Sequence, residues 1–155
     1  MPGGSTQEKE KRESMANASS EMIVTLPGGK RVDTRIGPHV IRTDQPVSNG
    51  GEDTAPAPFG LFLAAIGTCA GIYVAGFCQK RGLPTEGIRI RQRNHFDGET
   101  GVLVRVELDI EVPPSFPDKY RDALVRVADQ CAVKKAIQAQ PQFDVKTVVA
   151  AERPV

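Results

Sequence analysis

The sequence is short of the residues from which disulfide frameworks, metal sites and nucleic-acid surfaces are built. It has three cysteines in 155 residues, and an odd number does not fit a disulfide-stapled secreted domain. His39 and His95 stand apart from each other and from any cysteine at a ligand spacing, so we expect no metal site and no cofactor. The 20 basic and 19 acidic residues are spread along the chain, which disfavours nucleic acid as a partner.

The amino-terminal region carries no clear structural or targeting pattern. Residues 1–19 are polar, charged and without apolar periodicity, so we predict a disordered tail there. No basic stretch followed by an apolar run and a small-residue cleavage site is apparent, which favours a cytoplasmic location. Residues 20–155 are enough for a single domain with its own core.

One long uncharged segment dominates the middle of the chain. Residues 59–79 carry no charge and match the ~20 residues that a membrane span needs. The segment is rich in Gly and Ala, and its neighbours have the patterns of amphipathic strands and helices, so we predict a central buried helix and no membrane partner. Gly82 and Pro84 supply the stop signals that commonly follow a helix.

Alternating apolar and polar residues predict strands on both sides of this helix. Residues 21–43 contain short alternating runs separated by two Gly/Pro turns, and residues 88–112 predict a hairpin with one solvated face. A helix or helix pair is predicted from Ser115 to Gln130 or beyond, and a last strand over residues 143–149. The order indicates an α+β fold with antiparallel sheet.

Two of the three cysteines lie on the long helix, at Cys69 and Cys78. Nine helical residues rotate by about 900° and rise about 13.5 Å, so these cysteines face opposite sides and cannot form a disulfide with each other. Cys78 shares a face with small residues that permit close packing: Ala64, Gly67, Gly71 and Ala75. The residues alone make each cysteine a candidate core thiol and leave the partner of Cys69 open.

Two sequence contexts suggest a family. The segment "PAPFGLFLAAIGTCAG", preceded by "DQPVSNGGED" and followed by "KRGLPTEGIRI", resembles the signature of the OsmC/Ohr family of thiol-dependent hydroperoxide reductases. The first family cysteine matches Cys69, and the second, in "VADQCAVKKAI", matches Cys131. The resemblance extends from about Gly37 to Val149. It implies an OsmC-like fold in which antiparallel sheets wrap around long central helices in an intertwined homodimer.

The resemblance also implies a chemistry for the two cysteines. In the family, the first cysteine attacks the O–O bond of an organic hydroperoxide as a thiolate and becomes a sulfenic acid. The second cysteine captures the sulfenic acid as a disulfide, which an external dithiol then reduces. Carried onto this chain, Cys69 is the peroxidatic residue and Cys131 the resolving residue.

The chain departs from the family pattern at two positions. Peroxidase members have a glutamate ten residues before the first cysteine, and this position is Phe59 here. The proline that often follows the second cysteine is replaced by Ala132. The alternative function is therefore a non-peroxidase dimer that binds an apolar small molecule in the interfacial pocket.

The activating cation of the family comes from the first hairpin. Arg31 is our prediction for this role. Other basic residues of the same region remain open as alternatives, namely Lys30, Arg35 and Arg42.

Overall fold

The computed structural model describes residues 20–150, so the tail predicted for residues 1–19 lies outside the described residues. The chain divides after Pro58 into two compact units. The first contains three strands and a loop, and the second contains three helices and a hairpin within its described part. The single domain expected for residues 20–155 stays a prediction.

The first unit is an antiparallel sheet. Strands β1 (Ile23–Gly28), β2 (Arg31–Ile36) and β3 (His39–Thr43) pair in the order β1-β2-β3. Both connections are tight because Gly29 and Gly37 take positive φ values of 61° and 55°, which glycine adopts without a steric penalty. The strands predicted in residues 21–43 are confirmed.

The loop after β3 is organised by the buried carboxylate of Asp44. This carboxylate accepts hydrogen bonds from the main-chain N–H groups of Gln45, Glu52 and Thr54 and from the Thr54 hydroxyl. These donors lower the pKa of Asp44 to about 2. The loop also needs glycine at Gly51, where an added Cβ would lie 1.9 Å from the carbonyl oxygen of Gln45.

The second unit is built on helix α1 (Pro58–Gln79). Its core-facing residues recur at helical spacing as Ala70, Val74, Phe77 and Cys78. Leu124 and Ala128 of a later helix complete this core together with Phe116. The helix ends as predicted, with Gly82 at φ 62° and the N–H of Leu83 bonded to the carbonyl of Cys78.

A hairpin of β4 (Arg89–Phe96) and β5 (Leu103–Glu111) packs beside this helix. Its inner face presents Ile90, Leu108 and Ile110 to the core. Its outer face carries cross-strand ion pairs, among them Arg91 with Glu111 and Arg93 with Asp109. The predicted hairpin with one solvated face is confirmed.

A bulge in the hairpin corrects one detail of the predicted alternation. The alternation of the sequence predicts that Val102, Val104 and Val106 share one apolar face of the second strand of the hairpin. The register shifts between His95 and Phe96, so that Phe96 pairs with Leu103 and Val104 is the extra residue. Val104 is therefore exposed, and Leu103 contributes to an internal cavity.

The chain continues in two short helices. A 3₁₀ turn at Asp118–Tyr120 leads into α2 (Arg121–Ala128), and after a break α3 follows (Ala132–Ala139). The prediction of a helix pair is confirmed, but helical structure begins at Asp118 rather than at Ser115, which lies in a turn. Pro117 disfavours helical geometry at the residue before it, which explains the later start.

The predicted last strand is wrong for the described chain. Residues 143–149 have no regular secondary structure, and Phe143 and Val149 are 85% and 99% exposed. A strand needs a neighbour to satisfy its backbone groups, and none of the described strands pairs with this segment. The fold class, α+β with antiparallel sheets and a long helix, is nevertheless confirmed.

Candidate functional site

The break between α2 and α3 brings Cys131 to a helix start. Cys131 has extended geometry, with φ −48° and ψ 122°, and its carbonyl accepts the first intrahelical hydrogen bond, from the N–H of Lys135. Cys131 is thus the N-cap residue of α3, but its side chain makes no capping hydrogen bond. The first N–H groups of α3 are left free for another acceptor.

The sulfur of Cys69 lies close to these N–H groups. Cys69 lies in the middle of α1 and is partly exposed. The N–H of Val133, the thiol of Cys131 and the N–H of Ala132 are near enough to its sulfur to lower the pKa of Cys69, in decreasing order of effect. With the positive charge of Lys134 they lower the pKa of Cys69, against the opposing effect of burial. A helix start that presents N–H groups to sulfur is a recognised way to stabilise a thiolate.

The thiol of Cys131 has two acceptors within reach. Its sulfur is fully buried and lies 3.9 Å from the carbonyl oxygen of Ile66, one helical turn before Cys69 on α1. It also lies close enough to the Cys69 sulfur to lower the pKa of Cys69. Since a charged acceptor gives the stronger hydrogen bond, ionisation of Cys69 favours donation toward Cys69 over donation toward Ile66. The structure therefore brings together the two cysteines that the sequence proposed as a pair.

The third cysteine, Cys78, belongs to the core. It is fully buried among Val74, Phe77 and Leu124, and burial raises the pKa of its thiol. The prediction that Cys78 serves packing is confirmed. The small-residue stripe on its face meets β4, since Gly67 lies against Gln92 and Gly71 against Ile90.

A cavity of about 340 Å³ lies next to the cysteine pair. Ile66, whose carbonyl contacts Cys131, is part of its wall, as is Ala128. Its other walls are mostly apolar and include Phe62, Leu103, Val106, Leu108, Val125 and Ile137. Asp129 and Lys134 add charge to this apolar lining. The cavity has the size and character of a small-ligand site.

Phe59 occupies the position of the family glutamate and has an aromatic environment. Its ring stacks on Phe62 at 5.6 Å and tilts against Phe96 at 6.3 Å. A phenyl ring offers no carboxylate to orient a cation, so Phe59 cannot supply what the glutamate supplies.

The predicted activating cation lies in the first unit. Arg31 is exposed and donates to the carbonyl of Gly28 within its own hairpin. Its proximity to Cys69 therefore stays a prediction, as it does for the alternatives Lys30, Arg35 and Arg42.

The site shows no sign of metal chemistry within residues 20–150. No group of three or more potential ligands among His, Cys, Asp and Glu occurs in that range.

Helix α1 is long and apolar enough to cross a membrane by length and composition, and the core helix of a soluble protein passes the same test.

The comparison with protein families decides the relationship. The family model described as OsmC-like protein matches residues 50–146, which include both Cys69 and Cys131. The chain belongs to the OsmC-like protein family. The family resemblance inferred from the two cysteine contexts is therefore confirmed. No curated protein matches the chain significantly.

Solved structures show the same fold as this OsmC-like chain. An OsmC-like protein from Mycoplasma pneumoniae aligns with a TM-score of 0.62 and 10% identity over 80% of this chain and 90% of its own. A candidate osmotic stress induced and detoxification response protein from Psychrobacter arcticus aligns with a TM-score of 0.65 and 20% identity, over 77% of this chain and 89% of its own. A candidate organic hydroperoxide resistance protein from Vibrio cholerae aligns with a TM-score of 0.52 and 21% identity, over 80% of this chain and 90% of its own. That structure has captopril bound in one of its active sites.

Sequence reasoning missed the groups that surround the Cys69 sulfur. Two of them are main-chain N–H groups, of Ala132 and Val133, which no side-chain pattern can indicate. The third is Lys134, three residues after Cys131. The residues between α2 and α3, Asp129 to Cys131, include no Gly or Pro that would mark the break in the sequence.

Proposed function

We propose that this OsmC-like protein is a thiol-dependent reductase of organic hydroperoxides, with Cys69 as the peroxidatic and Cys131 as the resolving cysteine. The observation that carries the proposal is the position of the Cys131 thiol at the start of α3, where it lies 3.9 Å from the carbonyl oxygen of Ile66 and lowers the pKa of Cys69. The same groups that lower the pKa of Cys69 include the thiol that would capture its oxidised form. Family membership supports a redox role for these two positions.

The proposed reaction uses these two thiols in sequence. The Cys69 thiolate attacks the terminal oxygen of ROOH, the O–O bond breaks, and RO⁻ leaves and takes up a proton to become ROH. Cys69 is now a sulfenic acid. The sulfur of Cys131 displaces its hydroxyl group, which leaves as water with the Cys131 proton, and a disulfide forms. An external dithiol returns both cysteines to thiols and is itself oxidised to a disulfide.

The surroundings of the pair support an apolar substrate. The cavity of about 340 Å³ is walled mostly by aliphatic and aromatic side chains, so the organic part of ROOH would bury apolar surface there. This agrees with the substrate class in the name of the Vibrio cholerae protein of similar fold, a candidate organic hydroperoxide resistance protein.

We propose that the protein is a homodimer. In the described chain, 28% of the most apolar stretch of α1 is buried, and Ile72 is 71% exposed. The apolar residues of segment 143–149 are also exposed, among them Val145 at 96%. A second copy of the chain would bury this apolar surface in a dimer interface. Light scattering at micromolar concentration should show a dimer, and a monodisperse monomer would contradict this assembly.

The cytoplasm is the proposed location. Cys69, Cys78 and Cys131 are all free thiols in the structure. A reducing compartment keeps such thiols reduced, and it also supplies dithiols that could regenerate the enzyme.

A peroxide consumption assay tests the proposed function. The purified protein is mixed with an organic hydroperoxide and dihydrolipoamide, and the loss of peroxide is followed over time. We expect turnover by the native protein, and no turnover above background by Cys69→Ser. Cys78→Ser is the matched control and should retain activity. A native protein that consumes no organic hydroperoxide with any dithiol tested would refute the reductase function.

The second candidate function is the binding of an apolar small molecule without peroxide reduction. The observation that favours it is the aromatic cluster of Phe59, Phe62 and Phe96 at the position where peroxidase members have glutamate. Under this alternative, Cys69→Ser leaves the binding of an apolar fluorescent probe unchanged, and the native protein gives no peroxide turnover.

A further inference from the structure

We propose that Lys134 is a positioning residue for the Cys69 thiolate, supplying from the same subunit a positive charge beside the reacting sulfur. The inference rests on the proposed function for its catalytic meaning, but the electrostatic effect on Cys69 can be measured without any peroxide. It adds a residue to the site that the family pattern does not indicate, since the cation expected there comes from the first hairpin.

The geometry that carries the proposal is the fixed place of the Lys134 side chain. Lys134 is the third residue of α3, in the helical turn that presents Ala132 and Val133 to the Cys69 sulfur. Its ammonium group lies 2.7 Å from Oδ1 of Asp129, which precedes the helix, so the ion pair spans the Cys131 cap. The side chain contributes to the wall of the cavity next to the cysteine pair.

The two charges of this ion pair are not equally screened by water. The Lys134 side chain is 25% exposed, whereas that of Asp129 is 71% exposed. Solvent screens the carboxylate more than the ammonium group, so the pair leaves a net positive potential on its buried side. Asp129 thus holds the lysine in place without cancelling its charge at Cys69.

The neighbouring groups agree with this assignment. Among the groups that lower the pKa of Cys69, Lys134 is the one that carries a positive charge. The next residue, Lys135, carries the same charge but is exposed and does not line the cavity. Lys134 and Lys135 therefore form a matched pair for mutation, since they carry the same charge but only Lys134 lines the cavity.

The experiment measures alkylation of Cys69 by iodoacetamide as a function of pH, with Cys78 and Cys131 replaced by Ala in every variant. We expect Lys134→Gln to raise the pKa of Cys69 and to slow alkylation at pH 7 by roughly two- to fivefold at low salt. Lys134→Arg should retain the profile of the parent with the two Ala replacements, and Lys135→Gln should leave that profile unchanged. The difference between Lys134→Gln and its parent should shrink in 1 M salt.

The outcomes separate this inference from the proposed function. Equal alkylation profiles for Lys134→Gln and its parent would overturn the role of Lys134, whether or not the protein reduces peroxides. A shifted profile in a protein that consumes no peroxide would support Lys134 and refute the reductase function. A shift of equal size in Lys135→Gln would also overturn the inference, because it would show a general charge effect rather than one from Lys134. Circular dichroism melts of all variants confirm that each is folded.

Discussion

Helix α1 carries Cys69 in its middle and Cys78 at its end, and the two sulfurs have opposite environments. The pKa of Cys69 is lowered by N–H donors, a second thiol and a lysine, whereas that of Cys78 is raised by burial. Both sit on the same helix and are nine residues apart. The difference shows that the second element against each sulfur, rather than the helix itself, decides whether the pKa of a cysteine is lowered or raised.

The packing partner of each cysteine explains this contrast. Cys69 faces the start of α3, where main-chain N–H groups have no partners within the helix. Cys78 packs against Leu124 of α2 in an apolar cluster, where burial outweighs the opposing effect of the Arg81 charge on the pKa of its thiol. A helix start offers donors, and a helix middle offers none.

The largest expected effect concerns the products of oxidation. A modest excess of organic hydroperoxide should convert Cys69 and Cys131 to an intrasubunit disulfide, while Cys78 stays reduced. In Cys131→Ser, Cys69 should stop at the sulfenic acid and oxidise further to sulfinic acid. Peptide mass mapping checks both results. A dominant disulfide from Cys78 to Cys69 or Cys131 would contradict the difference in environment between the two cysteines of α1.

The second prediction concerns reactivity without peroxide. At pH 7 the thiolate fraction of Cys69 should be raised and that of Cys78 reduced, since their pKa values move in opposite directions. Cys78 is also inaccessible in the folded protein. Iodoacetamide should label Cys69 about 100-fold faster than Cys78, as measured by mass spectrometry over time. Equal labelling rates in the folded protein would contradict the two environments, and labelling in denaturant is the control.

The third prediction concerns stability. Cys78→Ser places a hydroxyl in an apolar core and should destabilise the protein by about 1–2 kcal/mol. The partly exposed Cys69→Ser should change stability by less than that. Urea unfolding of both variants measures the difference. A larger loss in Cys69→Ser than in Cys78→Ser would reverse the assignment of the core cysteine.

The smallest expected effect concerns the cation predicted from sequence. If Arg31 acts on Cys69 in the assembled protein, Arg31→Ala should raise the pKa of Cys69 and slow its alkylation at pH 7 by a few fold. The alkylation rate of Cys69 as a function of pH measures this change in pKa. The change caused by Lys134→Gln serves as the reference for its size. An unchanged profile in Arg31→Ala would direct the same test to Arg35, Arg42 or Lys30.

The local signals of the sequence were sufficient for most of the fold. The glycines at positions 29, 37 and 82 mark turns or a helix end because each takes a positive φ. The apolar alternation around residues 106–110 indicates a half-buried strand because a strand has a period of two. Signals of this kind depend on a few neighbouring residues, so they survive without knowledge of the tertiary structure.

Three features needed the tertiary structure. The bulge at Val104 shifts the register by one residue, and the sequence pattern alone does not locate the shift. The segment 143–149 has strand propensity, but a strand forms only where a neighbouring backbone accepts its hydrogen bonds. The break before Cys131 depends on how α2 and α3 pack, since the residues between them could also continue a helix.

The sequence by itself separated Cys78 from Cys69 by helical spacing, and it paired Cys69 with Cys131 through the two contexts that match the OsmC-like family. Only the tertiary structure decided how the pKa of Cys69 is lowered, because the groups around its sulfur come from residues 131–134, more than sixty positions later in the chain. Two of those groups are main-chain N–H donors, which every residue except proline possesses. Their effect depends on position and direction in space, and neither is encoded in residue type.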